Sequence, residues 1–333
     1  MKRPHRRRTR GAFGLLGAAI AAAWAFAPRP PAAEPERAPG RLRWNEVCFK
    51  AAHNSVDRAE PIPRQLDWDP AVPHDGGCRG VELDIVMDPS RTGPGDDWVF
   101  GVQHGGAFKA SSPRLDECLR LVRAWSTAHP GHDPIAIHID IKVEATLGDD
   151  ADFCAKIDAC LDRELERERI FTPQDLRRRH GSLLEAIDAR GWPTVETLRD
   201  KFIIVFSGGD LDGPVGRRRR AYLEKGHIAF VDLDQRAAGA SGGDECDIRN
   251  PYYNEGNRVF LNVELGRKDW TRLAREGSKR GFMVRVWKAN DAESWKRSLD
   301  ARIHIVSTDR ITGSPWATVG PGTLAPLPQR IRL

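Results

Sequence analysis

Short apolar runs alternate with longer amphipathic stretches along most of the chain. The runs are rich in β-branched and aromatic residues, as in GVELDIV (80–86) and PIAIHIDI (134–141), and the stretches between them have helical spacing. Strands that alternate with helices form parallel sheets, so this pattern predicts an α/β fold, and about eight strands in this length predict a closed (β/α)8 TIM barrel.

Nine runs qualify for the eight strand positions of such a barrel. They are 47–52, 80–86, 98–103, 134–141, 201–206, 227–231, 258–263, 282–287 and 303–306. Helices are predicted over 113–129, 151–168, 194–199, 269–279 and 291–299. We interpret either 227–231 or 258–263 as the segment outside the barrel.

The two ends of the chain differ in composition from this middle part. The basic start MKRPHRRRTR precedes a short Ala- and Gly-rich apolar run, which is typical of an export signal over residues 1–33 and too short for a convincing membrane span. Paired arginines allow the twin-arginine route as well as the general secretory route. We therefore predict a secreted or periplasmic protein with a Pro/Ala-rich linker (34–43), a barrel domain (44–320) and a Pro-rich tail (321–333).

Charge and cysteine content narrow the function classes. The formal charge is +5, and without the seven Lys and Arg residues of 1–33 it falls to −2, so bulk charge gives no support for nucleic-acid binding. The basic run GRRRR (216–220) is interpreted as the solvated start of a helix rather than an anion-binding patch. Six cysteines in an exported chain predict disulfides, although their spacing assigns no pairing.

Two strands carry acids that alternate with apolar residues. Glu82 and Asp84 share one face of the run 80–86, because successive side chains of a strand point to opposite sides. On the run 134–141 the isoleucines form an outer face, so that His138, Asp140 and the following Lys142 point into the barrel. Acids at these positions are costly to bury without a partner.

A divalent cation would neutralise these inward acids. Glu82, Asp84 and Asp140 are predicted to bind it, and the amide oxygen of Asn54 completes an all-oxygen ligand set. Hard oxygen ligands favour Ca²⁺, or alternatively Mg²⁺, over zinc.

Two histidines follow apolar runs at comparable positions. His53 ends the first run in AAHNSVDR, and His104 ends the third in GVQHGG. Taken alone, His-Asn-Ser is ordinary turn chemistry at the end of a strand. Beside a metal site, however, two imidazoles suit general acid–base catalysis on a phosphodiester, and the combination of four polar strand ends favours an active site.

These motifs resemble the bacterial calcium-dependent phosphoinositide-specific phospholipase C family, within the superfamily of PLC-like TIM-barrel phosphodiesterases. AAHNSVDR is similar to the family signature G-T-H-N-S-Y, and RGVELDIVMDP to its E-L-D strand. The segment CLRLVRAWSTAHPGHDPIAIHIDIK is similar to its helix–strand segment that ends in acid-x-Lys. Further segments match in order and spacing, so the resemblance spans roughly residues 45–315.

The resemblance implies a role for each matching residue. His53 and His104 correspond to the catalytic histidines, and Lys142 to a lysine that contacts phosphate. The implied metal ligands are Asn54, Glu82, Asp84 and Asp140. Arg285 and Trp287 are expected to contact the substrate headgroup. The implied reaction is phospholipase C cleavage of a phosphatidylinositol-type lipid through a cyclic phosphate, with transient contact with a membrane surface and no stable protein partner.

Two alternatives remain open from the sequence. RVWKAND (285–291) resembles the W-T-x-N-D strand of glycerophosphodiester phosphodiesterases and sphingomyelinase D, which predicts a different diester substrate. Ala52 and Val56 also replace the Thr and Tyr of the phospholipase signature. A barrel that binds lipid without catalysis is the alternative from a different functional class.

Overall fold

A parallel β-barrel forms the centre of the molecule. The computed structural model describes residues 41–143, 146–208, 216–235 and 256–327. The strands are β1 (Val47–Ala52), β2 (Gly80–Met87), β3 (Phe100–Val102), β4 (Ile135–Ile141), β5 (Phe202–Ser207), β6 (Phe230–Val231), β7 (Leu233–Gln235), β8 (Phe260–Glu264), β9 (Met283–Trp287), β10 (Ile305–Thr308) and β11 (Leu324–Pro326). Their order in the sheet is β6-β5-β4-β2-β1-β10-β9-β8-β7, with β3 and β11 outside this path.

The barrel closes because β6 and β7 share one position. Only Asp232 separates these two short segments; β6 pairs in parallel with β5, and β7 pairs in parallel with β8. Together with β1, β2, β4, β5, β8, β9 and β10 they fill eight positions. The predicted (β/α)8 barrel is confirmed.

The segment outside the barrel differs from the one that we predicted. Both 227–231 and 258–263 contribute barrel strands, whereas the run 98–103 forms β3, which pairs antiparallel with the carboxyl-terminal half of β2. A parallel neighbour needs a crossover of about a dozen or more residues, usually through a helix. No helix is predicted between 86 and 98, and this absence was the available signal that the run returns antiparallel.

Helices cover the outside of the barrel. They are α1 (Ile62–Leu66), α2 (Leu115–Ala128), α3 (Asp150–Leu165), α4 (Pro173–Arg177), α5 (Leu183–Arg190), α6 (Gly216–Lys225), α7 (Trp270–Lys279) and α8 (Ala292–Asp300). The predicted helices at 113–129, 151–168, 269–279 and 291–299 are confirmed, while 194–199 shortens to a 3-10 turn at Glu196–Leu198. The outward isoleucines of β4 pack with α2 and α3 in one apolar cluster. Every helix among the described residues is too short or too polar to span a bilayer.

Aromatic side chains fill the amino-terminal end of the barrel. Trp44, just before β1, has its ring 5.5 Å from that of Trp192 and 6.0 Å from those of Phe49 and Phe260. Phe230 at the start of β6 joins this group, with its ring 5.1 Å from that of Phe260. Aromatic packing therefore dominates the amino-terminal end of the barrel.

Residues next to the predicted limits of the barrel domain also pack on the barrel. Residues 324–326, placed in the tail by the sequence, form β11 against β1, and Leu327 is buried. Leu42, placed in the linker, is buried in the core below the barrel. The predicted signal (1–33), most of the linker and residues 328–333 lie outside the described residues.

The basic run and the cysteines differ from expectation. Arg218 and Arg219 are fully buried, and they form ion pairs with Asp150 (2.7 Å) and Asp232 (2.9 Å), so this run is more than the solvated start of a helix. The five cysteines among the described residues are buried and form no disulfide, so the disulfide prediction is wrong for them; they are Cys48, Cys78, Cys118, Cys154 and Cys160. Cys246 lies outside the described residues.

Candidate active site

Three carboxylates meet at the carboxyl-terminal end of the barrel. Asp84 of β2 lies directly beside Asp140 of β4 in the parallel register, and Glu82 shares the inward face of β2. Carboxylate oxygens of the three residues lie within 4.8 Å of one another, and all three residues are buried. The alternation in the sequence predicted this cluster.

The three carboxylates carry like charges and are buried away from solvent. Burial and the neighbouring charges of Asp140 and Glu82 raise the pKa of Asp84 to about 7. Two cationic side chains offset part of this charge. The Arg285 Nη2 lies 2.7 Å from Glu82 Oε2, and the Lys142 Nζ lies 2.5 Å from Asp140 Oδ2.

The cluster fits a hard divalent cation. The Oδ1 atom of Asp84 is buried without a hydrogen-bond partner, as expected for a carboxylate oxygen that faces a cation site. Asn54 lies at the same place, with its backbone N–H donating to Glu82 Oε2 (3.1 Å). Its left-handed backbone (φ 48°) makes this turn, a conformation that Asn tolerates better than most residues. Carboxylate and amide oxygens are ligands for Ca²⁺ or Mg²⁺.

Gly208 gives Asp140 the room that it occupies. This glycine follows β5 with φ 111°, in the region that favours glycine. A Cβ at this position would lie 2.2 Å from Asp140 Oδ1 and 2.6 Å from the carbonyl oxygen of Ile141. A larger residue would therefore displace one carboxylate of the cluster.

His53 is held at the end of β1 by a carboxylate that the sequence analysis missed. Its backbone N–H donates to Thr308 O (3.0 Å), which extends the β1–β10 pairing, and its Nδ1 lies 2.8 Å from Asp309 Oδ1. Arg58 and Asn290 also contact the Asp309 carboxylate. With Nδ1–H donating to Asp309, Nε2 is the nitrogen on the side of the acid cluster, 3.9 Å from Glu82 Oε2.

His104 reaches the same cluster from outside the barrel. Because β3 runs antiparallel to β2, the end of β3 returns toward the middle of β2, and Gln103 N–H donates to Asp84 O (2.9 Å). The His104 Nδ1 lies 2.7 Å from Asp84 Oδ2 and 3.2 Å from Asn54 Nδ2, and 60% of the side chain is exposed. The two histidines therefore stand beside one acid cluster, each against its own carboxylate.

Arg285 and Trp287 share the inward face of β9. The Arg285 guanidinium is fully buried and donates to Ser307 Oγ and Asn262 Oδ1 (both 2.9 Å) in addition to its ion pair with Glu82. It also lies 5.8 Å from the centre of the Trp287 ring. Trp287 is the last residue of the strand and lies at the mouth of the barrel, whereas contact of either residue with a substrate stays a prediction.

The sequence analysis missed the residues that support these side chains. Asp309 contacts His53, and Asn290 donates in turn to Asp309. Asn262 and Ser307 accept from Arg285, and Asp234 accepts from Asn262 Nδ2 (3.1 Å). The signal for Asp309 was its place in IHIVSTD, at the end of a strand that neighbours β1. The signal for Asn262 was an isolated polar residue inside the apolar run VFLNV.

Two kinds of comparison bear on this site. The family model for calcium-dependent phosphoinositide phospholipase C matches residues 99–249, a segment that contains His104, Asp140 and Lys142. This match confirms the resemblance predicted from the motifs, and it indicates a phosphodiesterase similar to phosphoinositide-specific phospholipase C. No curated protein matches the chain.

Solved structures share the fold. A calcium-dependent phosphoinositol-specific phospholipase C from a Gram-negative Pseudomonas species, in its apo form, has a TM-score of 0.65 at 20% identity, with 87% of this chain and 97% of that chain covered. The calcium-dependent phosphatidylinositol-specific phospholipase C of Streptomyces antibioticus has a TM-score of 0.56 at 18% identity, with coverages of 86% and 99%. The barrel described above is thus the architecture of these proteins.

Proposed function

We propose that the protein cleaves the headgroup phosphodiester of a phosphatidylinositol-type phospholipid by a phospholipase C mechanism. The observation that carries the proposal is the pair of histidines beside one three-carboxylate cluster, each hydrogen-bonded through Nδ1 to its own acid. In this arrangement Nε2 of each ring is left for a proton of the substrate. Two proton carriers are what transfer of a phosphoryl group between two oxygens requires.

The reaction follows from these two groups. A hydroxyl of the headgroup, adjacent to the phosphate, attacks phosphorus, and the bond from phosphorus to the glycerol oxygen of the lipid breaks. The proton of the attacking hydroxyl passes to one histidine, and the other histidine protonates the departing oxygen. A cyclic phosphate and a diacylglycerol result. Asp309 and Asp84 orient the two rings through their Nδ1 atoms.

The cation site lies beside both histidines. Glu82, Asp84, Asp140 and the amide oxygen of Asn54 would hold Ca²⁺, which supplies a positive charge for a phosphate oxygen and lowers the pKa of the attacking hydroxyl. Lys142 stands directly after β4 with its ammonium group at Asp140, within the same mouth of the barrel. It would neutralise charge on the phosphate.

The headgroup would enter between the acid cluster and Trp287. This indole ring ends β9 and is 8% exposed, so the part of it that faces the mouth would be the surface against which a sugar-like ring packs. Arg285 lies beneath it and fixes the position of the Glu82 carboxylate. The lipid tails stay in the membrane, so contact with the bilayer is transient, and an exported location, as the amino-terminal sequence predicts, would give access to such a substrate.

A substrate panel tests the proposal. Phosphatidylinositol, sphingomyelin and glycerophosphocholine are incubated with the protein, with and without calcium, and the products are resolved by phosphorus NMR. We expect a cyclic inositol phosphate from phosphatidylinositol in the presence of calcium. Glycerol phosphate or ceramide phosphate as the main product would replace the proposal with one of the other diesterases, and binding to vesicles without any product would make the barrel a lipid-binding protein.

A further inference from the structure

The loop that carries His104 is folded around one buried amide. Residues 104–112 lie between β3 and α2, and most of them are exposed to solvent, whereas the preceding residue, Gln103, is 8% exposed. Two glycines of the loop, Gly105 and Gly106, adopt positive φ angles. The loop therefore curls back over the side chain of Gln103.

Every hydrogen-bonding position of the Gln103 amide is used within this loop. Its Nε2 donates to Gly105 O and Ala107 O (both 2.9 Å). Its Oε1 accepts from Lys109 N (3.1 Å) and Ser112 Oγ (2.7 Å). A buried amide with all of its partners fixes the backbone that supplies them, because each lost bond leaves a buried polar group unsatisfied.

The same residue connects the loop to the acid cluster. The backbone N–H of Gln103 donates to Asp84 O, and the next side chain along the chain, His104, contacts Asp84 Oδ2. Phe108 supplies a second anchor, since a Cβ on Gly101 would lie 3.1 Å from its ring. The position of His104 is thus set by Gln103 on one side and by Asp84 on the other.

We infer that Gln103 is a positioning residue for the chemical step: its amide holds the 104–112 loop so that the His104 imidazole stands against Asp84 with Nε2 toward the substrate. The inference deepens the proposed function and rests on it. Such placement matters because a displacement of about 1 Å in a reacting group lowers rates by about 10²-fold.

A double-mutant cycle tests this role. Gln103→Leu keeps the size of the side chain and removes all four side-chain bonds, and we expect kcat on phosphatidylinositol with calcium to fall about 10²-fold with little change in KM. In a His104→Ala background the same substitution should have no further effect, because the group that it positions is gone. Lys109→Ala is the matched control, since it changes an exposed side chain of the loop and keeps the backbone N–H that Gln103 accepts.

Hydrogen exchange supplies a readout that does not depend on activity. The Lys109 amide is protected in the wild type by Gln103 Oε1, and we expect it to exchange faster in Gln103→Leu while the core strands keep their protection. If Gln103→Leu does not fold, Gln103→Glu takes its place, because its carboxylate keeps the acceptor and repels the Gly105 and Ala107 carbonyls.

The outcomes separate this inference from the proposed function. Loss of activity in His104→Ala with near-normal kcat in the Gln103 variant overturns the role of Gln103 and leaves the proposed function standing. Additive losses in the double variant also overturn it, since Gln103 would then act by another route. Normal activity in His104→Ala overturns both, because the two-histidine mechanism itself fails.

Discussion

Histidines at the two ends of the barrel have different hydrogen-bond partners. At the carboxyl-terminal end, His53 and His104 each contact a carboxylate. At the amino-terminal end, His304 precedes β10, where its Nδ1 accepts from Val284 N–H (2.9 Å) and its Nε2–H donates to Asn45 O (3.0 Å). Proton transfer is the role that we propose for the first pair, whereas the partners of His304 fix it as a neutral imidazole.

The comparison shows that the hydrogen-bond partners of a histidine decide which form of the ring the barrel favours. A carboxylate partner stabilises the imidazolium form that acid–base catalysis needs. Backbone partners satisfy both ring nitrogens of the neutral form, and burial lowers the pKa of His304 to about 4. Burial and the Arg285 charge likewise lower the pKa of His138, inside the barrel, well below its usual value.

Removal of the cation should have the largest effect on the site at the carboxyl-terminal end. Exhaustive dialysis against a chelator is expected to bring lipid cleavage to background, because Glu82, Asp84 and Asp140 then repel the phosphate. In chelator, His53→Ala and the wild type should show the same residual rate, and calcium should restore the difference between them. Full activity of the chelated wild type would remove the metal from the mechanism.

Replacement of His53 or His104 should lower the rate of lipid cleavage and leave the protein folded. His53→Ala and His104→Ala are each expected to reduce kcat by about 10² to 10⁴ with KM little changed, and the double variant to lose little more than either single variant. Unfolding in denaturant provides the control. We expect a change of less than about 1 kcal/mol for His104→Ala, whose side chain is mostly exposed. For His53→Ala we expect a loss of about 1–3 kcal/mol, because this ring is buried and bonded to Asp309.

A substrate with a nitrophenol leaving group sharpens this prediction. Such a group departs without a proton, so the variant that lacks the general acid should recover most of its rate on it, and the variant that lacks the general base should not. Near-normal kcat of both variants on a natural lipid would mean that the two histidines belong with His304 as structural residues.

The fold and the acid cluster followed from the sequence because they depend on local patterns. Alternation of acids with apolar residues on β2 and β4 fixes which face each residue takes, and parallel neighbours bring Asp84 beside Asp140. The route of His104 did not follow in the same way. An apolar run such as 98–103 has the same appearance in a parallel and in an antiparallel strand, so the only signal for its direction was the missing helix between 86 and 98.

Contacts between distant parts of the chain were beyond the sequence. Asp309 lies 256 residues from His53, and Glu82 lies about 200 residues from Arg285, so no spacing rule relates them. Arg285 was expected to contact the substrate because RVWKAND resembles a strand of related phosphodiesterases. Its burial against three protein acceptors emerges only from the folded barrel. Supporting residues of a site are specified by closure of the barrel, which no single segment encodes.

Arg285 is buried inside the barrel beside Glu82, and its replacement should lower the free energy of unfolding. Arg285→Met leaves Glu82 buried without its counter-charge, and we expect the free energy of unfolding in chelator to fall by about 3–5 kcal/mol. The double variant Glu82→Gln/Arg285→Met should recover much of this loss, because both charges are then removed together.

An exposed ion pair provides the matched control for this prediction. On α8 the Lys296 Nζ lies 2.5 Å from Asp300 Oδ2, and most of both side chains is exposed to solvent. Lys296→Met is expected to change the free energy of unfolding by less than about 1 kcal/mol. Equal costs for the buried and the exposed pair would show that Glu82 does not depend on Arg285.

The smallest expected effect concerns His304 at the amino-terminal end, and it appears only on acidification. With a folded pKa of about 4 and an unfolded pKa of about 6.5, His304 takes up a proton in the unfolded chain before it does so in the folded one. The stability that the neutral ring contributes is complete above pH 6.5, and it declines as the pH falls toward 4, by about 3 kcal/mol in all.

The variant His304→Asn tests this effect, because it keeps an acceptor near the position of Nδ1 and does not titrate. It should be less stable than the wild type at pH 7 and lose less stability between pH 7 and 4.5, with kcat at pH 7 unchanged. Other groups titrate equally in both proteins, so the difference in their free energies of unfolding across this pH range isolates the histidine. If that difference did not change with pH, protonation of His304 would not destabilise the fold and the prediction would be wrong.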